Sequence, residues 1–336
     1  MKTIPEFDFN LDTEPSQRWK HILDHFQQNP NTLSKLKNNI DIILQQFGYN
    51  TIYSMITKSV SGIYSLFNWI MYKEEMQSIA DFIDLPLEKV IIMQLIYEVS
   101  AACTTFVTKV DNDYTMFRTL DWPMNFLNDL TINLNIKKNG QTIGKATTWA
   151  GYVGMITAMS SNGYAIALNY RRTQNFSFNT IINNALNTLK LRWPIGYLIR
   201  YTVENNTPYE TAISYLKSAE LISPCYLTVC HHKKKPMIIT RNTTDVAYSI
   251  SDDFVIQTNI DCDADNPKTV TGFENILYSV ERQEYCYKHI TNSKNNFQSI
   301  KKLFDTFIEF PVINHDTIYL TIMCPINQIY ITVLNE

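Results

Sequence analysis

The stretch SAACTTFVTKVDNDYTMFRTLDW, Ser100 to Trp122, is where the texture of the chain changes. On its left, EKVIIMQLIYEV (88–99) spaces its apolar residues as a helix does. On its right, TTFVTKV and YTMFRTL are rich in β-branched and aromatic residues. The polar run Asp111-Asn112-Asp113 between them reads as a hairpin turn. Three small residues, Ser100, Ala101 and Ala102, lead into Cys103 at the junction. That cysteine has two readings. It is a buried small residue where a helix hands over to a strand, or it is a nucleophile that becomes a new N-terminus.

The hairpin supplies what such a nucleophile needs. With the turn at Asn112-Asp113, the ladder sets Asp121 opposite Cys103 or Thr104, and Arg118 opposite Val107 or Phe106. A guanidinium at Arg118 favours a thiolate. A carboxylate at Asp121 holds a free α-amine at Cys103, and an α-amine with an ordinary pKa of about 8 can serve as the base. The plainer reading of Arg118 and Asp121 is a strand-end ion pair worth about 0–1 kcal/mol.

Outward from the hairpin, the organisation is α+β. The first hundred residues read as helical: 16–28, 32–48, EEMQSIADFI and PLEKVIIMQLIYEV carry apolar residues at i, i+3, i+4. After Cys103, LTINLNIKK and QTIGKATTW flank Asn139-Gly140, a strong hairpin turn. YAIALNY (164–170) is a further strand, followed by helical stretches up to SYLKSA. Strands return at CYLTVC, PMIITRN, VAYSI and FVIQTN. A helical section spans 272–309, and TIYLTIM and QIYITVL end the pattern. Antiparallel sheets with helices packed on them suit this order better than βαβ repeats.

The totals narrow the function. A chain of 336 residues, 45% apolar and 18% charged, has ordinary globular composition. A net charge of −3 carries no nucleic-acid footprint. The N-terminus has no apolar core of the signal-peptide kind, so it is not a conventional one, and the compartment stays open. TIYSMITKSVSGIYSLFNWIMY (51–72) carries Lys58 as its only charge. It fits an apolar helix pair that packs on the core, flanks an acyl site, or makes peripheral membrane contact.

Six cysteines, Cys103, Cys225, Cys230, Cys262, Cys286 and Cys324, are scattered without a CxxC pair. Cys225 and Cys230 lie five apart on an expected strand and so point to opposite faces, which argues against zinc. No metal and no cofactor is expected. Of the six histidines, His289 and His315 are the candidates for a cysteine–histidine hydrolase, although SAACTT lacks the papain-type signature.

Several stretches carry a resemblance in chain order. They include FNLDTEPSQRW (9–19), LEKVIIMQLIYEVSAACTTFV (87–107), RTLDWP (118–123), NGQTIGKATTWAGYVGMITAMS (139–160), QTNID (257–261) and FPVINHDTIYLTIM (310–323). Together they resemble the acid ceramidase family, most closely its N-acylethanolamine-hydrolysing acid amidase branch. The resemblance implies an α+β fold, the αββα four-layer sandwich of N-terminal-nucleophile hydrolases. It divides the chain into a helical α-segment, 1–102, and a hydrolase β-segment, 103–336, two chains from one precursor. Autocleavage falls between Ala102 and Cys103. Carried over by motif, Cys103 is the nucleophile, Arg118 stands beside the thiol, and Asp121 holds the α-amine. Asn259 in QTNID is the oxyanion donor, and Arg282 in SVERQEYC is the later active-site arginine. The substrate implied is a lipid amide, an N-acylethanolamine or ceramide-like molecule.

Two further readings stand beside this one. An uncut lipid-binding protein on the same fold would suit Tyr170, which replaces a glutamate of the relatives. A cysteine–histidine hydrolase would use His289 or His315.

Overall fold

Two residues with left-handed backbones turn the central hairpin. The computed structural model describes residues 2–28, 37, 71–95, 101–171, 192–261 and 276–335. In it Asp111 (φ 51°) and Asn112 (φ 70°) occupy the two central positions of the turn. Positive φ at both is the type I′ geometry that suits twisted strands, and Asn and Asp tolerate it. The strands β3 (Ala102–Val110) and β4 (Asp113–Asp121) therefore pair from Val110↔Asp113 to Ala102↔Asp121. This corrects the register expected from the sequence. The turn sits one residue earlier than Asn112-Asp113, so Asp121 faces Ala102 and Arg118 faces Thr105. Relative to the expected turn each partner moves by two residues, and a shift of two leaves the faces of both strands unchanged.

β3 and β4 lie inside a seven-stranded sheet. Its order runs from β1 (Lys2–Thr3) through β15 (Ile329–Leu334), β14 (Thr317–Cys324), β4 and β3 to β12 (Val255–Gln257). A two-residue strand, β13 (Asn296–Phe297), pairs parallel with the far end of β3. The second sheet has eight strands in the order β11 (Val246–Ser251), β10 (Met237–Arg241), β9 (Cys225–His231), β8 (Tyr164–Tyr170), β7 (Thr157–Ser160), β6 (Gln141–Trp149), β5 (Thr131–Lys138) and β2 (Glu6–Asn10). All its pairings are antiparallel except β2 with β5.

Strand alternation builds the layers. Val107, Met116 and Met323 of the first sheet meet Met159, Ala165, Ala167 and Cys230 of the second. On the outer face of the first sheet, Phe106, Phe117 and Leu320 pack against α6 (Ser279–Asn292) and α7 (Ile300–Phe307). Ser299 caps α7 by accepting the Lys302 N–H. On the outer face of the second sheet, Ile166, Leu168 and Val229 join the cluster that includes α4 (Ile195–Glu204) and α5 (Tyr209–Ser218). The N-terminal helices α1 (Lys20–Gln27), α2 (Lys73–Ile83) and α3 (Leu87–Leu95) contribute to the same cluster. The result is the αββα sandwich.

The first segment is not all helix. Residues 2–3 and 6–10 are strands at the edges of the two sheets. EFDFN alternates, with Phe9 buried, but the run is too short beside Pro5 to stand out as a period-two signal. The helical section after 276 is likewise interrupted by β13. Readings on 32–36, 38–48, 51–70, 179–191 and Cys262 lie outside the described residues. Among the described residues, no helix is long and apolar enough to cross a membrane.

A buried ionic knot joins the N-terminal segment to α4. Glu75 accepts Arg200 Nη2 at 2.5 Å and Nη1 at 2.7 Å, Trp19 Nε1 at 2.8 Å and Arg18 Nη1 at 3.0 Å. Glu75 and Arg200 are both fully buried. The Arg200 guanidinium also lies 3.8 Å from the centre of the Tyr72 ring, a cation–π contact.

Candidate active site

Cys103 is buried near the start of β3. β12 runs beside it, and the chain leaving β12 brings Asn259 to its backbone. Asn259 Oδ1 accepts the Cys103 N–H at 2.7 Å. Asn259 Nδ2 donates to the carbonyls of Tyr170 at 2.9 Å and Ala101 at 3.4 Å.

Arg282, in the first turns of α6, reaches the same point from the helical layer. Its Nη2 donates to Asn259 Oδ1 at 3.1 Å and to Ser279 Oγ at 3.0 Å. Its Nη1 donates to Thr104 Oγ1 at 2.8 Å and pairs with Asp121 Oδ2 at 3.3 Å. The Leu277 carbonyl takes Nε at 2.9 Å. Asp121 Oδ1 accepts Thr317 Oγ1 at 2.7 Å. Burial raises the Asp121 carboxyl above its ordinary range even beside Arg282. Burial also lowers the Arg282 guanidinium, against the pull of Asp121.

Alternation separates these groups across the strand. Ala102, Thr104 and Asp121 share the face toward α6, while Cys103, Thr105, Arg118 and Leu120 share the face toward the second sheet. Arg118 thus stands on the thiol's side. Its Nη1 donates to the Thr119 carbonyl at 2.7 Å and its Nη2 to the Leu168 carbonyl at 2.9 Å. Cys103, Leu120 and Tyr319 form a lateral row over β3, β4 and β14. The buried Tyr319 hydroxyl shares a 2.8 Å hydrogen bond with Thr157 Oγ1. The five residues expected from the sequence therefore converge, with Asp121 and Arg282 on one side of the strand and Cys103 and Arg118 on the other.

The histidines lie elsewhere. His289 stacks on Tyr285 in the helical layer outside the first sheet. The His315 side chain is 70% exposed beside Asp316. Cys225 and Cys230 sit in different layers, as their spacing implies. Among the described residues, no cluster of His, Cys, Asp and Glu is arranged to hold a metal.

Asn169 and Arg171 carry little weight in the sequence, because Tyr170 between them replaces a glutamate of the relatives. Asn169 Nδ2 donates to the carbonyls of Gln257 at 2.9 Å, Thr258 at 3.2 Å and Cys103 at 3.4 Å, while its Oδ1 accepts Thr105 Oγ1 at 2.6 Å. It pins β3, β8 and β12 together beneath the thiol. Arg171 binds Asp261 through two bonds of 2.7 Å, and Tyr226 donates to the same carboxylate at 2.6 Å. This pair fixes the end of β8 to the turn that carries Asn259. The available signal was a polar Asn inside the apolar strand YAIALNY and an Asp two residues after Asn259.

The chain is similar to known amide hydrolases. The family described as linear amide C–N hydrolases, choloylglycine hydrolase family, matches residues 103–261, so the match begins at Cys103. Residues 2–65 match the family described as the beta subunit of N-acylethanolamine-hydrolyzing acid amidase. The chain is 37% identical over 323 residues to an uncharacterised protein of Acanthamoeba polyphaga mimivirus, covering 95% of this chain and 96% of that one. It is 27% identical over 348 residues to the acid ceramidase of Heterocephalus glaber, covering 95% and 83%. The structure of a Caenorhabditis elegans N-acylethanolamine-hydrolyzing acid amidase ortholog superposes with a TM-score of 0.59 at 22% identity. That match covers 70% of this chain and all of the other, and it carries the fold.

The matched family makes this chain a hydrolase of linear amide C–N bonds, and the sandwich is the N-terminal-nucleophile hydrolase fold. Within that class, the chain belongs to the acid ceramidase and N-acylethanolamine-hydrolysing acid amidase family.

Proposed function

We propose that the protein is a self-processing cysteine amidase that hydrolyses a fatty acyl amide, N-acylethanolamine or ceramide-like, to fatty acid and amine. The observation that carries this is the 2.7 Å bond from the Cys103 backbone N–H to Asn259 Oδ1. The nitrogen that must become a free amine already has a dedicated acceptor, backed by Arg282 and Asp121.

In processing, the Cys103 sulfur attacks the Ala102 carbonyl carbon. The C–N bond breaks as the C–S bond forms, and the thiol proton passes to the Cys103 nitrogen. Water then hydrolyses the thioester, leaving the Ala102 carboxylate and a chain that begins at Cys103. The segments 1–102 and 103–336 become separate chains. In turnover, the Cys103 thiol gives its proton to the α-amine as the sulfur attacks the substrate carbonyl, and the α-amine passes that proton to the leaving amine as the C–N bond breaks. Water releases the fatty acid from the acyl-thioester. Asn259 Nδ2 is the oxyanion donor. Arg118, on the thiol's face, supplies positive field to the thiolate. Asp121 and Arg282 hold the amine side in place through Asn259 and Thr104.

Intact mass and N-terminal sequencing of the purified protein test this, with Cys103→Ala as control. A chain starting at Cys103, absent from the variant, is the expected result. A single full-length chain that persists at acidic pH overturns it and leaves the uncut lipid-binding reading.

A further inference from the structure

The loop after β6 is held by a residue from the other side of the proposed cut. Gln94, in the last turn of α3, is fully buried. Its Oε1 accepts the Val153 N–H at 2.8 Å, and its Nε2 donates to the Gly151 carbonyl at 3.0 Å. One side-chain amide thus pairs with loop 150–155 as a neighbouring strand would.

That loop belongs to the apolar cluster that also buries Cys103. Tyr152 packs on Trp149 at 5.6 Å between ring centres, and Trp149 packs on Trp122 at 5.7 Å. Trp122 follows Asp121, the partner of Ala102. All three rings share one buried cluster with Ala101 and Cys103. The Tyr152 ring is wedged so closely that a Cβ at Gly196 would collide with its hydroxyl. The three rings make an apolar, stiff wall, and α3 sets its position.

We infer that Gln94 is a positioning residue through which the N-terminal segment sets acyl-chain selectivity, holding the Trp122–Trp149–Tyr152 wall against the acyl chain. This rests on the amidase reading above. Gln94 lies outside the reacting groups, so its effect falls on substrate fit and leaves the cleavage at Cys103 alone.

The test compares wild type, Gln94→Met and Gln94→Glu on N-acylethanolamines with short, medium and long saturated chains. Gln94→Met removes both loop bonds; Gln94→Glu keeps the acceptor for Val153. KM for the long-chain amide should rise roughly tenfold in Gln94→Met, the scale of one or two lost hydrogen bonds. Its kcat and its short-chain KM should hold, and Gln94→Glu should fall between. Both variants should be cut at Cys103. Amide hydrogen exchange at Val153 should quicken roughly tenfold in Gln94→Met. An unchanged chain-length profile, or an equal loss on every substrate, overturns the inference. If wild type hydrolyses none of these amides, the amidase reading fails instead. Unchanged Val153 exchange then overturns the holding role on its own.

Discussion

Asn259 Oδ1 accepts the Cys103 N–H and an Arg282 N–H at once, at 2.7 and 3.1 Å. One amide oxygen therefore couples the backbone of the candidate nucleophile to a buried guanidinium. Asn259→Leu keeps the branched shape and removes both bonds. It should leave the chain uncut or lower kcat by about 10²–10³-fold, the usual loss with an oxyanion donor. Mass spectrometry and single-turnover kinetics read the two effects.

Arg282→Met should destabilise the fold by about 3–5 kcal/mol, because it strips the buried Asp121 carboxylate of its ion-pair partner. Adding Asp121→Asn should recover much of the loss. A double-mutant cycle by urea denaturation gives the coupling, and additive effects would deny it.

Two buried carboxylates should impose opposite pH dependences on stability. Burial penalises the Glu75 carboxylate, but Arg200, Trp19 and Arg18 more than offset it, and its carboxyl is held below the ordinary range. Its contribution is present above the unfolded value of about 4.3 and is lost as pH falls through the lower folded value. Asp121, raised by burial, behaves in reverse. Its contribution is complete below about 3.9 and is lost as pH rises through the folded value. In urea titrations across pH, Glu75→Gln should flatten the acid limb and Asp121→Asn the limb above it.

His231 should stay neutral far below the ordinary range. Burial, His232 and Lys233 lower it to about 4. Its Nδ1 accepts the N–H groups of Lys233 and Lys234, each at 3.0 Å, so the proton sits on Nε2. Its stabilising contribution is present above about 6.5 and is lost as pH falls through the folded value. An NMR titration with a midpoint near 6.5 would contradict this.

The strands around Cys103 were legible because β-branched and aromatic residues crowd them. The pairing of Asp121 with Ala102 and of Arg118 with Thr105 could not be read, because DND offers more than one pair of residues able to take positive φ. Strand register hangs on that choice, and only packing against the second sheet decides it. Arg282 gave no local signal. Its partners Thr104, Asp121 and Asn259 are distant in sequence, so family likeness alone pointed to it. Asn169 was given little weight because its neighbour Tyr170 departs from the relatives' glutamate, and the carbonyls that Asn169 binds are distant in sequence. β1 and β2 escaped notice because two and five residues carry too little periodicity.

Those two short strands have a mechanical consequence. β1 hems the edge of one sheet and β2, three residues on, hems the edge of the other. Peeling them away would bare two rows of backbone donors and acceptors together. The first 102 residues contain no cysteine, so after a cut at Cys103 no disulfide could tether the two pieces. The seam stitched by β1, β2 and the Glu75–Arg200 knot would do so instead, and the severed piece would leave only by unravelling the cloth.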